Sequence, residues 1–218
     1  EIVELTGVVD GKIANIEVCV DILKKAISII EKKINYVFEN ANVIINHHDF
    51  DCVNITGFKK LHGNQILSED ISFILNNLKT KLNETEKNKT VIHLFNSKSL
   101  LDNKLHKNLP IGLYGNFYSH QLTFFLIQKK EFNNLITLFS KCNLNLNKVI
   151  LKSFVEGVDL INKERKETFF KVIIYKYKIQ IIFFYNSAFC FYQNFNFGSD
   201  IILKDISKVC SLEISKVK

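Results

Sequence analysis

Between Ile16 and Ile34 apolar side chains recur at steps of four and three, through Val20, Leu23, Ile27 and Ile30, which is the period of an α-helix. Strand-like runs stand elsewhere in the chain, and that alternation restricts it to a mixed α/β architecture. Asn15 stands where an N-cap belongs. Val18, Cys19, Ile22 and Ile29 are apolar too, so the buried arc is wide, as for a helix packed against a sheet. A strand is expected around 42–46. After Gly57 and Gly63, read as turn residues, the pattern gives a second helix with Ser68 as cap and Glu69 and Asp70 at its positive end. Ile71, Ile74, Leu75, Leu78 and Leu82 form its stripe, and it ends in the polar stretch 83–89.

Strands then dominate. Residues 90–95 are β-branched and apolar, and 116–127 are rich in Phe, Tyr and Leu, with Pro110, Gly112 and Gly115 in the loop between. Phe132, Leu135, Ile136 and Phe139 mark a third helix, 148–151 a short strand, and 154–161 a helical turn or two. A charged link at 162–168 reads as a boundary. Beyond it the pattern gives strands at 169–174, 178–185 and 189–195, the last two joined by a turn at Asn186-Ser187. Gly198 then precedes a helix capped by Ser199, with Ile202, Ile206 and Val209 on one face.

With 218 residues, 47% of them apolar, the chain can bury a large core without disulfides or metal. It has no methionine and begins with Glu, so it is expected to be a piece of a longer reading frame. The formal charge of +7 rests on lysine, since Arg165 is the one arginine. Reading bases by bidentate contact to guanine needs arginine, so no specific nucleic-acid partner is expected. Cys19, Cys52, Cys142, Cys190 and Cys210 are odd in number and never paired as C-x-x-C, as for free thiols in a reducing cytoplasm. No apolar run approaches the roughly 18 to 20 residues that span a bilayer.

His47, His48, Asp49, Asp51 and Cys52 form the most conspicuous cluster of metal-ligating types. On a strand, His47, Asp49 and Asp51 share one side and His48 does not, and no fourth ligand is apparent. A solvated strand end is the expectation, and no metal site is assigned. His93 lies in an apolar strand and reads as a structural histidine. No Walker A, G-x-G-x-x-G, G-x-S-x-G or H-E-x-x-H pattern occurs, and Cys142 has no context that would activate a thiolate. No catalytic residue is assigned.

Several short motifs occur in a fixed order. They are a glycine segment at Gly11 leading into Asn15-Ile16, then Ile66-Leu67-Ser68-Glu69-Asp70-Ile71, Ile92-His93-Leu94 and Leu109-Pro110-Ile111-Gly112-Leu113-Tyr114-Gly115. Asn134-Leu135 with Lys141-Cys142 running into 149–151 follows, and the last runs from Gly198-Ser199-Asp200 to Asp205-Ile206. In this order they resemble FtsA, the actin-like bacterial family that links the tubulin-like division ring to the membrane. The resemblance implies an actin-like (ribonuclease H-like) lobe in 1–65 and 129–162. It implies an inserted small α+β subdomain of SHS2 type in 66–128, and the start of a second actin-like lobe in 163–218. It also implies the tubulin-like protein FtsZ and later division proteins as partners, with possible self-association. Such a protein works at the cytoplasmic face of the inner membrane at the division site, reached through a C-terminal helix outside this chain.

Family members bind ATP and Mg²⁺ with a D-x-G-x-G-T-x-D hairpin, whose glycines let backbone N–H groups reach the phosphates. The matching stretch here is Ile173-Ile174-Tyr175-Lys176-Tyr177-Lys178-Ile179-Gln180. Its glycines are gone, and Ile173 and Gln180 stand where the carboxylates belong, so binding or hydrolysis of ATP is expected to be weakened or lost. By the same resemblance Gly198, Ser199, Glu213 and Lys216 are the candidate cofactor-binding residues. Glu213 and Lys216 match an E-x-x-K pair near adenosine. The nearest rival is an assembly protein of type IV pilus or type II secretion systems, which shares the lobes and the insert. A rival of another class is a Lys-rich module for anionic surfaces or RNA. The lost Asp and Gly residues argue against a kinase-like or chaperone-like ATPase of the same superfamily.

Overall fold

The computed structural model describes residues 2–9, 11–46 and 49–216. Its first half runs β1 (Val8–Val9), β2 (Lys12–Ile13), α1 (Ile16–Ile34), β3 (Asn40–Ile45), β4 (Asp51–Lys60), α2 (Ser68–Thr85), β5 (Lys89–Leu101) and β6 (Lys104–His106). The second half runs β7 (Phe117–Gln128), α3 (Lys129–Lys141), β8 (Asn145–Leu151), α4 (Lys152–Glu164), β9 (Phe169–Ile174), β10 (Ile179–Tyr185), β11 (Ala188–Phe195) and α5 (Ser199–Cys210). A 3₁₀ turn at Ile214–Lys216 follows. Among the described residues no helix is long and apolar enough to cross a membrane.

Helix α1 forms where its pattern places it. The Asn15 side chain accepts from Val18 N–H at 3.2 Å, and Asn35 closes the far end in the left-handed region at φ 53°. Cys19 and Val20 pack on Leu138 of α3 and on Cys142, which caps that helix. Gly7 lets the preceding loop close on the helix, for a Cβ there would lie 2.6 Å from Asn15 O and Cys19 Sγ. Strands β3 and β8 pair in parallel, with α3 leading into β8.

The four-stranded antiparallel sheet has the order β4-β7-β5-β6. Its strand β4 departs from the sequence reading. Gly57, read as a turn residue, sits in mid-strand opposite His120. Its missing side chain is filled by α2, since a Cβ at Gly57 would meet Ile74 Cγ2 at 2.5 Å. Three strands of this sheet lie within 66–128, and its edge strand β4 comes from 51–60. Helix α2 is capped at Leu67 rather than Ser68. The Asp70 carboxylate accepts from Leu67 N–H at 2.9 Å and pairs with Lys59, which holds Asp70 below the usual carboxylate range. Ile71, Ile74, Leu78 and Leu82 of α2 cover Tyr118, Leu122, Phe124 and Leu126 on one face of β7.

The opposite face of β7 is covered as well. Phe125 and Ile127 meet Leu151, Ile182, Phe184, Phe189 and Tyr192 in a second core, with Phe125 and Phe189 rings stacked at 4.2 Å. Central strand β7 is therefore buried on both sides, which explains its dense run of Phe, Leu and Ile. The short helical segment expected at 154–161 is the full helix α4. Gly157 lets it settle on the Phe184 ring. Strands β9, β10 and β11 form an antiparallel meander, and Asn186 and Ser187 turn it at φ 47° and 64°. Phe170, Val172 and Ile174 of β9 are exposed, and α5 has no buried residue.

Candidate functional site

The junction of the β9–β10 hairpin with α5 holds Gly198 and Ser199, two of the four residues that the sequence marked for a cofactor. In the hairpin loop, Tyr175 N–H donates to Lys178 O at 2.8 Å. The loop then lies across the start of α5. Ser199 N–H donates to Tyr175 O at 3.0 Å and Asp200 N–H to Lys176 O at 2.9 Å. Gly198, rather than Ser199, is the cap residue of α5. It is required by crowding rather than by φ, because a Cβ at Gly198 would collide with the carbonyls of Tyr175 and Lys176. A helix N-terminus normally offers free N–H groups and a positive dipole to an anion. Here two of those N–H groups are spent on the chain's own carbonyls.

The side chains around the junction reinforce the closure. Gln180, where a carboxylate would approach Mg²⁺, is buried and donates from Nε2 to Tyr192 Oη at 2.8 Å. Burial pushes the Tyr192 hydroxyl up to about 12. Ile173 packs against the second core. Burial and the nearby Glu156 raise Tyr175. A polar crevice of only about 10 Å³ remains between Tyr175, Gln180, Ser153 and Glu156. Lys176 sits over the Tyr177 ring at 4.7 Å, and Lys204 pairs with Asp200 at 2.7 Å. At this hairpin the Ser199 and Asp200 N–H groups that would meet a phosphate are engaged, and the carboxylates at the junction, Glu156 and Asp200, are paired with Lys152, Lys171 and Lys204.

The other two candidates lie elsewhere. Glu213 and Lys216 follow the far end of α5, about 18 Å along its axis from Gly198. Lys216 N–H donates to Glu213 O at 2.8 Å, and both side chains are exposed. The structure does not bring these two to Gly198 and Ser199.

His47 and His48 of the metal-type cluster lie outside the described residues. Asp49 pairs with Lys12 at 2.7 Å and Asp51 with Lys89 at 3.0 Å. Cys52 donates to Cys190 O at 3.8 Å, and burial pushes its thiol up to about 11. Among the described residues no group of three or more His, Cys, Asp or Glu is placed to hold a metal. Burial also raises the Cys142 thiol, away from a reactive thiolate.

Two histidines have definite structural states. His93 Nε2 accepts from Leu151 N–H at 3.1 Å, so the ring is neutral with its proton on Nδ1, and burial lowers its pKa to about 4. His120 is fully buried in β7 with neither ring nitrogen partnered, and burial lowers its pKa as well. The amide closure at α5 and the His93 bond escape sequence reading. Both use backbone groups that every residue supplies.

Two motifs far apart in sequence meet in space. Ile66 N–H donates to Leu113 O at 2.9 Å and Gly112 N–H to Ile66 O at 2.8 Å, while Gly112 takes φ +84°. The segment 66–71 that opens α2 is thus clasped by the Pro110–Gly115 loop.

No family model matches the sequence, and neither does any curated protein. The structure is similar to a chain of a solved structure described as "PilM-PilN type IV pilus biogenesis complex", with TM-score 0.56 and 7% identity. That likeness covers 99% of this chain and 58% of the other, so this chain spans a little over half the length of that neighbour. A Bacteroides thetaiotaomicron protein of unknown function with an actin-like ATPase fold gives TM-score 0.34 and 13% identity, over 88% of this chain and 63% of that one. The likeness to the first of these concerns the fold alone. The chain is a mixed α/β protein that shares its fold with a chain of that PilM-PilN complex.

Proposed function

We propose that this chain belongs to an actin-fold scaffold that assembles partner proteins and no longer hydrolyses ATP. One observation carries this reading: the first N–H groups of α5 are capped by the Tyr175 and Lys176 carbonyls. A phosphate would have to displace both bonds, and the carboxylates at the junction, Glu156 and Asp200, are already paired with lysines. Mg-ATP titrated calorimetrically into the full-length protein, with phosphate release followed in parallel, tests it. The expected result is no turnover and no binding tighter than millimolar, whereas micromolar binding with turnover refutes it.

Within that reading we propose the FtsA type, a division scaffold joining FtsZ and later division proteins to the inner membrane. Its support is the ordered motifs, two of which, at 66–71 and 109–115, clasp one another. A second reading, an actin-like component of a pilus assembly, draws on the neighbour described as a PilM-PilN complex. A fluorescent fusion of the full-length protein separates them. A mid-cell band before constriction supports the division reading. Polar or envelope foci that ignore the division plane support the other.

A further inference from the structure

Two β-bulges face each other where the four-stranded sheet meets the β9–β11 meander. On β5 the pairing with β7 skips Ser97, and on β11 the pairing with β10 skips Cys190. Bulges re-aim side chains and free backbone from the ladder. Here the two skipped residues meet, with Ser97 bonded to the Cys190 side chain. Asn54 Nδ2 donates to Cys190 O at 3.3 Å, and Ser97 bonds Thr123. These bonds make a fixed polar floor.

Above that floor runs a groove in two sections that share Ser97, Lys98, Leu105 and Tyr185 as walls. The first section, about 550 Å³, adds Phe183, Phe191, Leu100 and Gln121 and is the more apolar. The second, about 320 Å³, adds Asn96, His106, Lys107 and Asn186 and is polar. Among the described residues no carboxylate lines either section. Lys107 is held by Glu167 at 3.0 Å, whereas Lys98 is exposed at the shared wall and forms no ion pair among the described residues. Beside the groove, β6 ends its sheet, so one side of its backbone is unpaired.

We propose that this groove binds an extended acidic peptide segment of a partner protein. An aliphatic or aromatic side chain of the peptide enters the section walled by Phe183 and Phe191. A carboxylate two to four residues away meets Lys98. The argument is charge complementarity together with length. A cationic groove without carboxylates selects an anion, and two sections in series beside an open strand edge suit an extended chain. The inference goes beyond the scaffold reading and does not depend on which assembly the protein serves.

The test is selection of a phage-displayed library of random dodecapeptides on the full-length protein, followed by titration of the best synthetic peptide. Expected sequences carry Asp or Glu two to four positions from Phe, Tyr or Leu. Lys98→Glu should weaken the peptide at least tenfold, as should Phe191→Asp. Both positions are solvent-accessible, and thermal melts matching the unmodified protein show that the fold is intact. Added salt should weaken binding further. A basic or neutral consensus, no enrichment, or a change below twofold in Lys98→Glu overturns the proposal. So does N-acetylphenylalanine binding as tightly as the peptide, because the groove would then take a small amphipathic anion.

Discussion

Acidification should loosen the joint between the four-stranded sheet and the β3–β8 pair, because that joint includes a bond only a neutral histidine can make. His93 Nε2 accepts the Leu151 N–H, and protonation would turn the acceptor into a second donor facing it. Its folded pKa of about 4 lies below the ordinary 6.5. The unfolded chain therefore binds the proton more readily, and stability falls as pH falls. The contribution is complete above pH 6.5 and is lost progressively between 6.5 and 4. Linkage gives a ceiling of about 1.4 kcal/mol lost by pH 5.5 and about 2.6 kcal/mol by pH 4.5. His93 is half-buried, and screening by water at the ring reduces these to about 0.7 and 1.3 kcal/mol. Urea unfolding at pH 7.5, 5.5 and 4.5 measures the loss, and His93→Gln isolates it. The glutamine oxygen accepts the same N–H without titrating, so the variant should stay within about 1 kcal/mol of the parent at pH 7.5. Its acid loss should be smaller than the parent's by the amounts above. A pH dependence identical in parent and variant would refute the reasoning.

The other predictions concern packing. His120→Leu removes two buried nitrogens without partners and nearly conserves volume. It should stabilise the protein by about 1–2 kcal/mol, read as a higher urea midpoint at unchanged m. Gly57→Ala forces a methyl against Ile74 and should cost about 1–3 kcal/mol, with α2 amides losing exchange protection first. Gly198→Ala should push the hairpin loop off α5, and hydrogen exchange at the Ser199 and Asp200 amides should quicken while global stability changes less.

Where local chemistry decides, the sequence alone was sufficient. Asn15 and a four-three apolar stripe specify α1 because a side-chain oxygen and a helical period are written in residue types. Asn186-Ser187 between two aromatic runs specifies the β10–β11 turn, since the left-handed region suits few residues. The absence of glycine and aspartate from 173–180 was equally plain, and it already weighed against a phosphate site. Tertiary structure decided the rest. Gly57 reads as a turn until α2 is seen filling the space its side chain would take. Ser68 and Ser199 have the chemistry of caps, yet Leu67 and Gly198 hold those positions. Asp70 satisfies one helix start, and two hairpin carbonyls satisfy the other. The groove at Ser97 and Cys190 arises from two register slips in different sheets. Backbone carbonyls, register and close approach leave no mark in residue types, because every residue carries the same N–H and C=O and only the folded chain brings distant ones together.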